Sequence, residues 1–224
     1  MSGRAVFVAG AHTDIGKTHV ACALIRAARA RGLACDAFKP VMSGFTPTEA
    51  AASDAGRLLQ ALGRPLDEIA AVSPLRFAAP LAPPLAARRE GVRLEMAMIL
   101  DCCRTWLDGG GADFKLLEGA GGLMSPIAED GAALGLPEAL GLPAILVSGA
   151  YLGAISHALT AVKVMRARDI PVRALVVSED AAPGAPDFAE TLELMDRFTD
   201  GAPIVAAARG HERWADTLLD ILLA

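Results

Sequence analysis

At 224 residues, with 53% hydrophobic and 21% charged side chains, the chain can hold one domain with a sizeable core and is too apolar to be disordered. A formal net charge of −5 argues against a broad nucleic-acid-binding face or an anionic membrane as partner, so phosphate chemistry here has to use local charge. Cys22, Cys35, Cys102 and Cys103 form no C-x-x-C pair and no zinc spacing, which predicts buried reduced thiols in a cytoplasmic protein.

Residues 4–9 have the apolar, β-branched content of a buried strand and are too short a run for a signal sequence. Gly10-Ala-His-Thr-Asp-Ile-Gly-Lys-Thr18 follows, and then residues 20–31, rich in Ala, Leu and Arg, read as a helix closed by Gly32. Strand, glycine loop and helix opening at Gly-Lys-Thr is the setting of a phosphate-binding loop, in which backbone N–H groups and a helix N-terminus converge on a polyphosphate. Gly16 lets the backbone approach, Lys17 adds a charge for the β- and γ-phosphates, and the Thr18 hydroxyl can ligate Mg2+. Five residues separate Gly10 from Gly16, where the common pattern has four.

A second strand over 34–38 delivers Lys39 and Ser43 at its carboxyl end, where open α/β sheets bind ligands. Ser53 caps a helix reaching about residue 62, and Asp54 taken by itself is an ordinary first-turn acid. Residues 63–74 read as irregular or briefly helical; 77–87, holding Pro80, Pro83 and Pro84, predict an extended loop. Leu94, Met98 and Cys102, with Ile99 and Trp106 beside them, recur at helical spacing as a core stripe over 93–107, closed by Gly109-Gly110-Gly111. Residues 114–118 form a strand ending in Glu118-Gly-Ala-Gly-Gly122, an acid followed by glycines that suits either a metal-coordinating second motif or a tight turn. Further strands are expected at 143–147, 172–177 and 204–206, with helices at 154–168, 187–198 and 211–223. His157 is read as structural, and Trp214, Leu218, Leu219 and Leu222 share the apolar face of the last helix. The apolar stretch 139–155 is broken by Gly141, Pro143, Gly149 and Gly153, so no membrane span is predicted. The alternation implies an α/β fold: a P-loop NTPase-like, mostly parallel sheet with helices on both faces, in a single domain over 1–224.

Taken together, the loop 10–18, Phe38-Lys-Pro-Val-Met-Ser-Gly44 and Glu118-Gly-Ala-Gly-Gly122 resemble dethiobiotin synthetase. That family's loop also carries the extra residue. Ser53-Asp54 and Leu152-Gly-Ala-Ile-Ser-His-Ala158 match further positions in the same order, so the resemblance spans nearly the whole chain. It implies a homodimer that closes the ureido ring of dethiobiotin from 7,8-diaminononanoate, CO2 and ATP with Mg2+, through a carbamate and a carbamic-phosphoric anhydride. It also implies that Lys17 and Lys39 stabilise the transferring phosphoryl group and carbamate, and that Thr18, Asp54 and Glu118 hold Mg2+. Thr13 and Ser43 would position the diamine. Asp14, Ile15, Gly16, His19, Gly119, Ala120, Gly121 and Ser178 would complete the nucleotide site. Backbone amides of Gly153, Ala154, Ile155 and Ser156 from a partner subunit would receive the substrate carboxylate.

The chain departs from the family pattern at several places. Ser178-Glu179 stands where an Asn-Asp pair commonly reads adenine, and Ala206-Ala-Ala208 where a Pro-containing segment covers the base. Ala82-Pro83-Pro84, Ser156 and Thr191 replace a Ser-Pro-His, an Asn and a substrate-contacting Tyr. A serine hydroxyl lacks the paired donor and acceptor of an amide, which predicts weaker base selectivity and use of other nucleoside triphosphates. Two rival readings are a partitioning-type ATPase switch, for which Ala11-His12-Thr13 lacks the early loop lysine, and a non-catalytic nucleotide sensor, which would not need Lys39 and Glu118.

Overall fold

The computed structural model describes residues 4–199 and 201–224. β1 (Arg4–Gly10) leads into α1 (Lys17–Ala30), then β2 (Cys35–Phe38), β3 (Val41–Ser43), α2 (Asp54–Leu62), α3 (Ile69–Val72), β4 (Leu75–Phe77), α4 (Pro83–Arg89) and α5 (Met96–Asp108). The second half runs β5 (Phe114–Glu118), β6 (Pro126–Ala128), β7 (Gly131–Ala132), α6 (Gly135–Leu140), β8 (Ala144–Gly149) and α7 (Ala154–Ala167). It closes with β9 (Val172–Ser178), α8 (Phe188–Phe198), β10 (Ile204–Ala207) and α9 (Arg213–Leu223).

Six strands form one parallel sheet in the order β10-β9-β8-β1-β5-β2. β1 lies inside it and is buried on both sides: Val6 and Val8 enter a core with α1, α2 and α9, while Phe7 and Ala9 enter the core with α5 and α7. Each fully buried Phe, Leu or Ile contributes about 1.5–3 kcal/mol, so this central strand is held from two directions. The chain leaves β1 toward β2 and later crosses to β8 on its other side, which places the loop after β1 at a topological switch point. Lys115 tethers β5 to α5 by donating to the helix-terminal carbonyls of Trp106 at 3.1 Å and Leu107 at 2.8 Å.

The main strands and helices fall where the pattern places them, with several corrections. Residues 83–89 are helical, not extended, because Pro83 and Pro84 occupy the first helical positions, where a missing N–H costs nothing. The stripe on α5 is rotated: Leu94, Ile99 and Cys103 are fully buried, whereas Met98 is 40% exposed. Cys22 and Cys103 are buried but Cys35 and Cys102 only half so; all four are free, and burial pushes the Cys22 and Cys103 thiols up to about 12. The paired β3 and β4, the hairpin β6–β7 and α6 were not foreseen; strands of two or three residues are too short to show a period. Among the described residues no helix is long and apolar enough to cross a membrane.

Candidate active site

The loop after β1 is shaped by two glycines and one strained residue. A Cβ on Gly10 would lie 2.9 Å from the His12 carbonyl oxygen and 2.9 Å from Lys17 Cδ, so only glycine lets Lys17 fold back across the loop. Its ammonium donates to the His12 carbonyl at 3.5 Å. Asp14 (φ 56°) and Gly16 (φ 97°) are left-handed, a conformation that turns successive N–H groups toward one side. Gly16 opens α1 with no side-chain cap, so the first N–H groups of that helix are free of side-chain acceptors. Burial, the largest influence, lowers the pKa of Lys17, and the charge of Lys39 lowers it further; Glu118, Asp54 and Asp14 act in opposition.

Sheet register assembles the charged cluster. Pairing of Val8 with Glu118 sets the acid beside the end of β1, and pairing of Phe38 with Leu117 sets Lys39 next to it. Ser53 caps α2 by accepting from the Gly56 N–H at 3.1 Å, which fixes Asp54 in the first turn. Lys39 Nζ lies 2.6 Å from Glu118 Oε1 and 2.7 Å from Asp54 Oδ2, and Thr18 Oγ1 donates to Glu118 Oε1 at 2.7 Å. The Lys39 and Glu118 side chains are 4% and 1% exposed, that of Asp54 42%. Burial is the strongest single influence on Lys39 and opposes its charge, but Glu118 and Asp54 together outweigh it and hold its pKa above the ordinary lysine value. For Asp54 burial works upward, yet the charge and hydrogen bond of Lys39, with help from Thr18 and Lys17, keep its carboxyl below the usual range.

This donor set suits a hard cation. Two carboxylates and a hydroxyl supply only oxygens, and Glu118 Oε2 is buried without a hydrogen-bond partner. Among the described residues no three His, Cys, Asp or Glu side chains converge, so a cation here would need oxygens from a ligand as well.

Two cavities open beside the loop. The larger, about 950 Å³, is walled by Thr13, Asp14, Ile15, Gly16 and His19 from the loop and α1, and by Ser178, Ala207 and residues 208–212 from the ends of β9 and β10. The Ser178 hydroxyl is buried and without a partner, and Glu179 accepts the Arg209 N–H at 2.8 Å. The His19 ring packs on Trp214. The smaller cavity, about 540 Å³, is lined by His12, Thr13, Met124, Ser125 and His157, among others. Thr13 faces both.

The remaining sequence candidates divide. Gly119, Ala120 and Gly121 run beside the loop: the Gly119 N–H donates to Val8 at 3.1 Å, and a Cβ on Gly121 would lie 3.6 Å from Thr13 Oγ1. Ser43 ends β3, paired with Phe77, and lines neither cavity. Gly153 (φ 97°) opens α7, where the Ala154 N–H already donates to Tyr151 at 2.9 Å; Ile155 and Ser156 complete the first turn. Thr191 is buried, its hydroxyl donating to the Asp187 carbonyl at 2.7 Å, so it offers no free group in place of a tyrosine. Sequence reasoning passed over His12, Tyr151 and residues 209–212 as cavity walls. Their only signal was position just after strand ends. Tyr151 Oη lies 2.8 Å from His157 Nδ1, and the His12 ring stacks on His157 at 6.1 Å.

Parallel sheet, glycine loop and buried lysine–acid cluster define a P-loop NTPase, and a family model described as an AAA domain matches residues 4–207. The crystal structure of a ParA family ATPase from Chlorobium tepidum TLS superposes with a TM-score of 0.53 at 15% identity, over 98% of this chain and 89% of that one, a likeness of fold alone. The ATP-dependent dethiobiotin synthetase BioD of Phenylobacterium zucineum is 58% identical over 221 residues, covering 97% of this chain and 94% of that protein. Its counterpart in Caulobacter vibrioides is 51% identical over 221 residues, covering 99% and 100%. The chain belongs to the dethiobiotin synthetase family.

Proposed function

We infer that this chain is an ATP-dependent dethiobiotin synthetase, the ligase of biotin biosynthesis that makes dethiobiotin from 7,8-diaminononanoate, CO2 and ATP. The observation that carries the mechanism is the cluster of buried Lys39, Glu118 and Thr18 with half-exposed Asp54 beside the Gly10–Thr18 loop. One amine of the substrate takes up CO2 as a carbamate and releases a proton. A carbamate oxygen then attacks the γ-phosphorus and ADP leaves. Last, the second amine attacks the carbonyl carbon of the mixed anhydride, closing the ring and expelling phosphate.

Phosphoryl transfer of this kind needs positioning and charge neutralisation more than covalent help. The loop N–H groups and the start of α1 would hold the phosphates, with Lys17 over the β- and γ-groups and Lys39 toward the carbamate. Thr18, Asp54 and Glu118 would hold Mg2+, which supplies charge neutralisation at the phosphate oxygens. Thr13, facing both cavities, is suited to touch nucleotide and diamine at once, while a diamine contact for Ser43, which lines neither cavity, rests on the family resemblance alone. The larger cavity suits the nucleoside, with Ser178 as a single hydroxyl toward the base. A second copy of the chain would complete the site. Met124 on the smaller cavity is 59% exposed and Leu152 just before α7 is 92% exposed, an apolar pair that a partner would cover while presenting its own residues 153–156 to the substrate carboxylate. Incubation with MgATP, 13C-bicarbonate and 7,8-diaminononanoate tests the reading: dethiobiotin one mass unit heavy is expected, and phosphate release with no dethiobiotin contradicts it. Sedimentation tests the dimer, where a monomer at micromolar concentration refutes it.

A further inference from the structure

The lysine assigned to the phosphoryl group is itself ion-paired with carboxylates assigned to the metal. Its ammonium is clasped by Glu118 Oε1 at 2.6 Å and Asp54 Oδ2 at 2.7 Å, the two carboxylates assigned above to the metal. Thr18 Oγ1, the third such oxygen, is bound to the same Glu118 atom at 2.7 Å. An ammonium at these distances places its charge among the oxygens a divalent cation would need. Without it, Glu118 at 1% exposure would be a buried carboxylate with no ion-pair partner among the described residues and only the through-space charge of Lys17 for compensation. The Lys39 backbone is fixed, its N–H donating to Val72 at 2.8 Å, so the long side chain is the part free to move.

We propose that Lys39 is the resident counter-cation of the proposed metal site, so that metal binds tightly only when it arrives with nucleotide and displaces the Lys39 ammonium toward the transferring phosphoryl group. The proposal rests on the metal and phosphoryl roles given above and adds an order to them. Metal alone competes with a covalently tethered cation and binds weakly; metal with nucleotide brings phosphate oxygens that give Lys39 a new anionic partner. The lysine then reaches the reacting centre only once the metal is in place, which discourages hydrolysis in a half-assembled site.

Mn2+ serves as the probe, with binding followed by electron paramagnetic resonance on the full chain without nucleotide. Lys39→Met is expected to bind Mn2+ about tenfold or more tighter than the wild type, and Lys39→Arg, which keeps the charge, as weakly as the wild type. Adding Asp54→Asn to Lys39→Met should abolish the gain. If Lys39→Met does not fold without metal, Mn2+ should restore its cooperative melting. The proposal is overturned if Lys39→Met binds no tighter than the wild type, if the double variant keeps the gain, or if a Lys39→Met chain unfolded without metal is not rescued by it. None of these readouts needs diamine or turnover, so failure of the dethiobiotin reaction itself would show separately in the isotope assay.

Discussion

The two ends of the nucleotide site are built differently. At the phosphate end, between β1, β5 and β2, the Lys39 and Glu118 side chains are almost fully buried and bound to each other and to Thr18 and Asp54. At the base end, between β9 and β10, an open cavity is walled largely by loop residues, with one serine hydroxyl unpartnered and Glu179 turned to the Arg209 backbone. On the proposed reading, reaction chemistry sits on buried strand ends and base recognition on more open loops. Changes at the first end should therefore cost both stability and catalysis, and changes at the second should mainly redistribute nucleotide preference.

Glu118→Gln should show the largest effect. It leaves the Lys39 ammonium buried with only half-exposed Asp54 for company, so unfolding free energy should fall by about 3 kcal/mol or more and turnover should drop by roughly a thousandfold. Denaturant melts and phosphate release measure both. Lys17→Gln should separate the two losses, with kcat/KM falling about a hundredfold and stability unchanged or slightly raised, because Lys17 holds a charge that burial disfavours.

A pH series sharpens the contrast further. Asp54 is depressed in the folded chain, so the unfolded chain binds more protons as pH drops below the ordinary carboxylate value. The stability it confers is present above that value and is lost as pH falls through the folded one; Asp54→Asn should flatten this acid stretch of the melting curve. Lys17 is likewise depressed, so on the alkaline side ATP affinity should begin to fall below the ordinary lysine value, and Lys17→Arg should move that fall upward. The smallest effect belongs to the base end. ATP, CTP and GTP should compete within about tenfold, and Ser178→Asn should favour ATP severalfold, the worth of one added hydrogen bond. A hundredfold preference of the wild type for ATP would contradict the open-pocket account.

What was legible in the sequence follows the same divide. Gly10 to Thr18, Lys39 and Glu118 could be singled out because each sits at a strand end or helix start, where local spacing fixes position before any tertiary contact is known, whereas Asp54 reads alone as an ordinary first-turn acid and is singled out only by the family resemblance. The walls formed by His12, Tyr151 and residues 209–212 could not, since their convergence depends on the order β10-β9-β8-β1, which no local pattern encodes. Two misreadings have local causes. Prolines at 83 and 84 start a helix as readily as they break one, and a stripe containing both Met98 and Ile99 leaves the buried face of α5 undecided by one residue.

The central claim is that this site directs the γ-phosphoryl group onto a carbamate and not onto water. Single-turnover reaction with 18O-bicarbonate, ATP and 7,8-diaminononanoate examines it directly, because ring closure leaves a former carbamate oxygen on the departing phosphate. One 18O in the released phosphate, appearing only with diamine and in step with dethiobiotin, is the predicted result. Unlabelled phosphate released whether or not diamine is present would contradict the account and favour a nucleotide-hydrolysing switch.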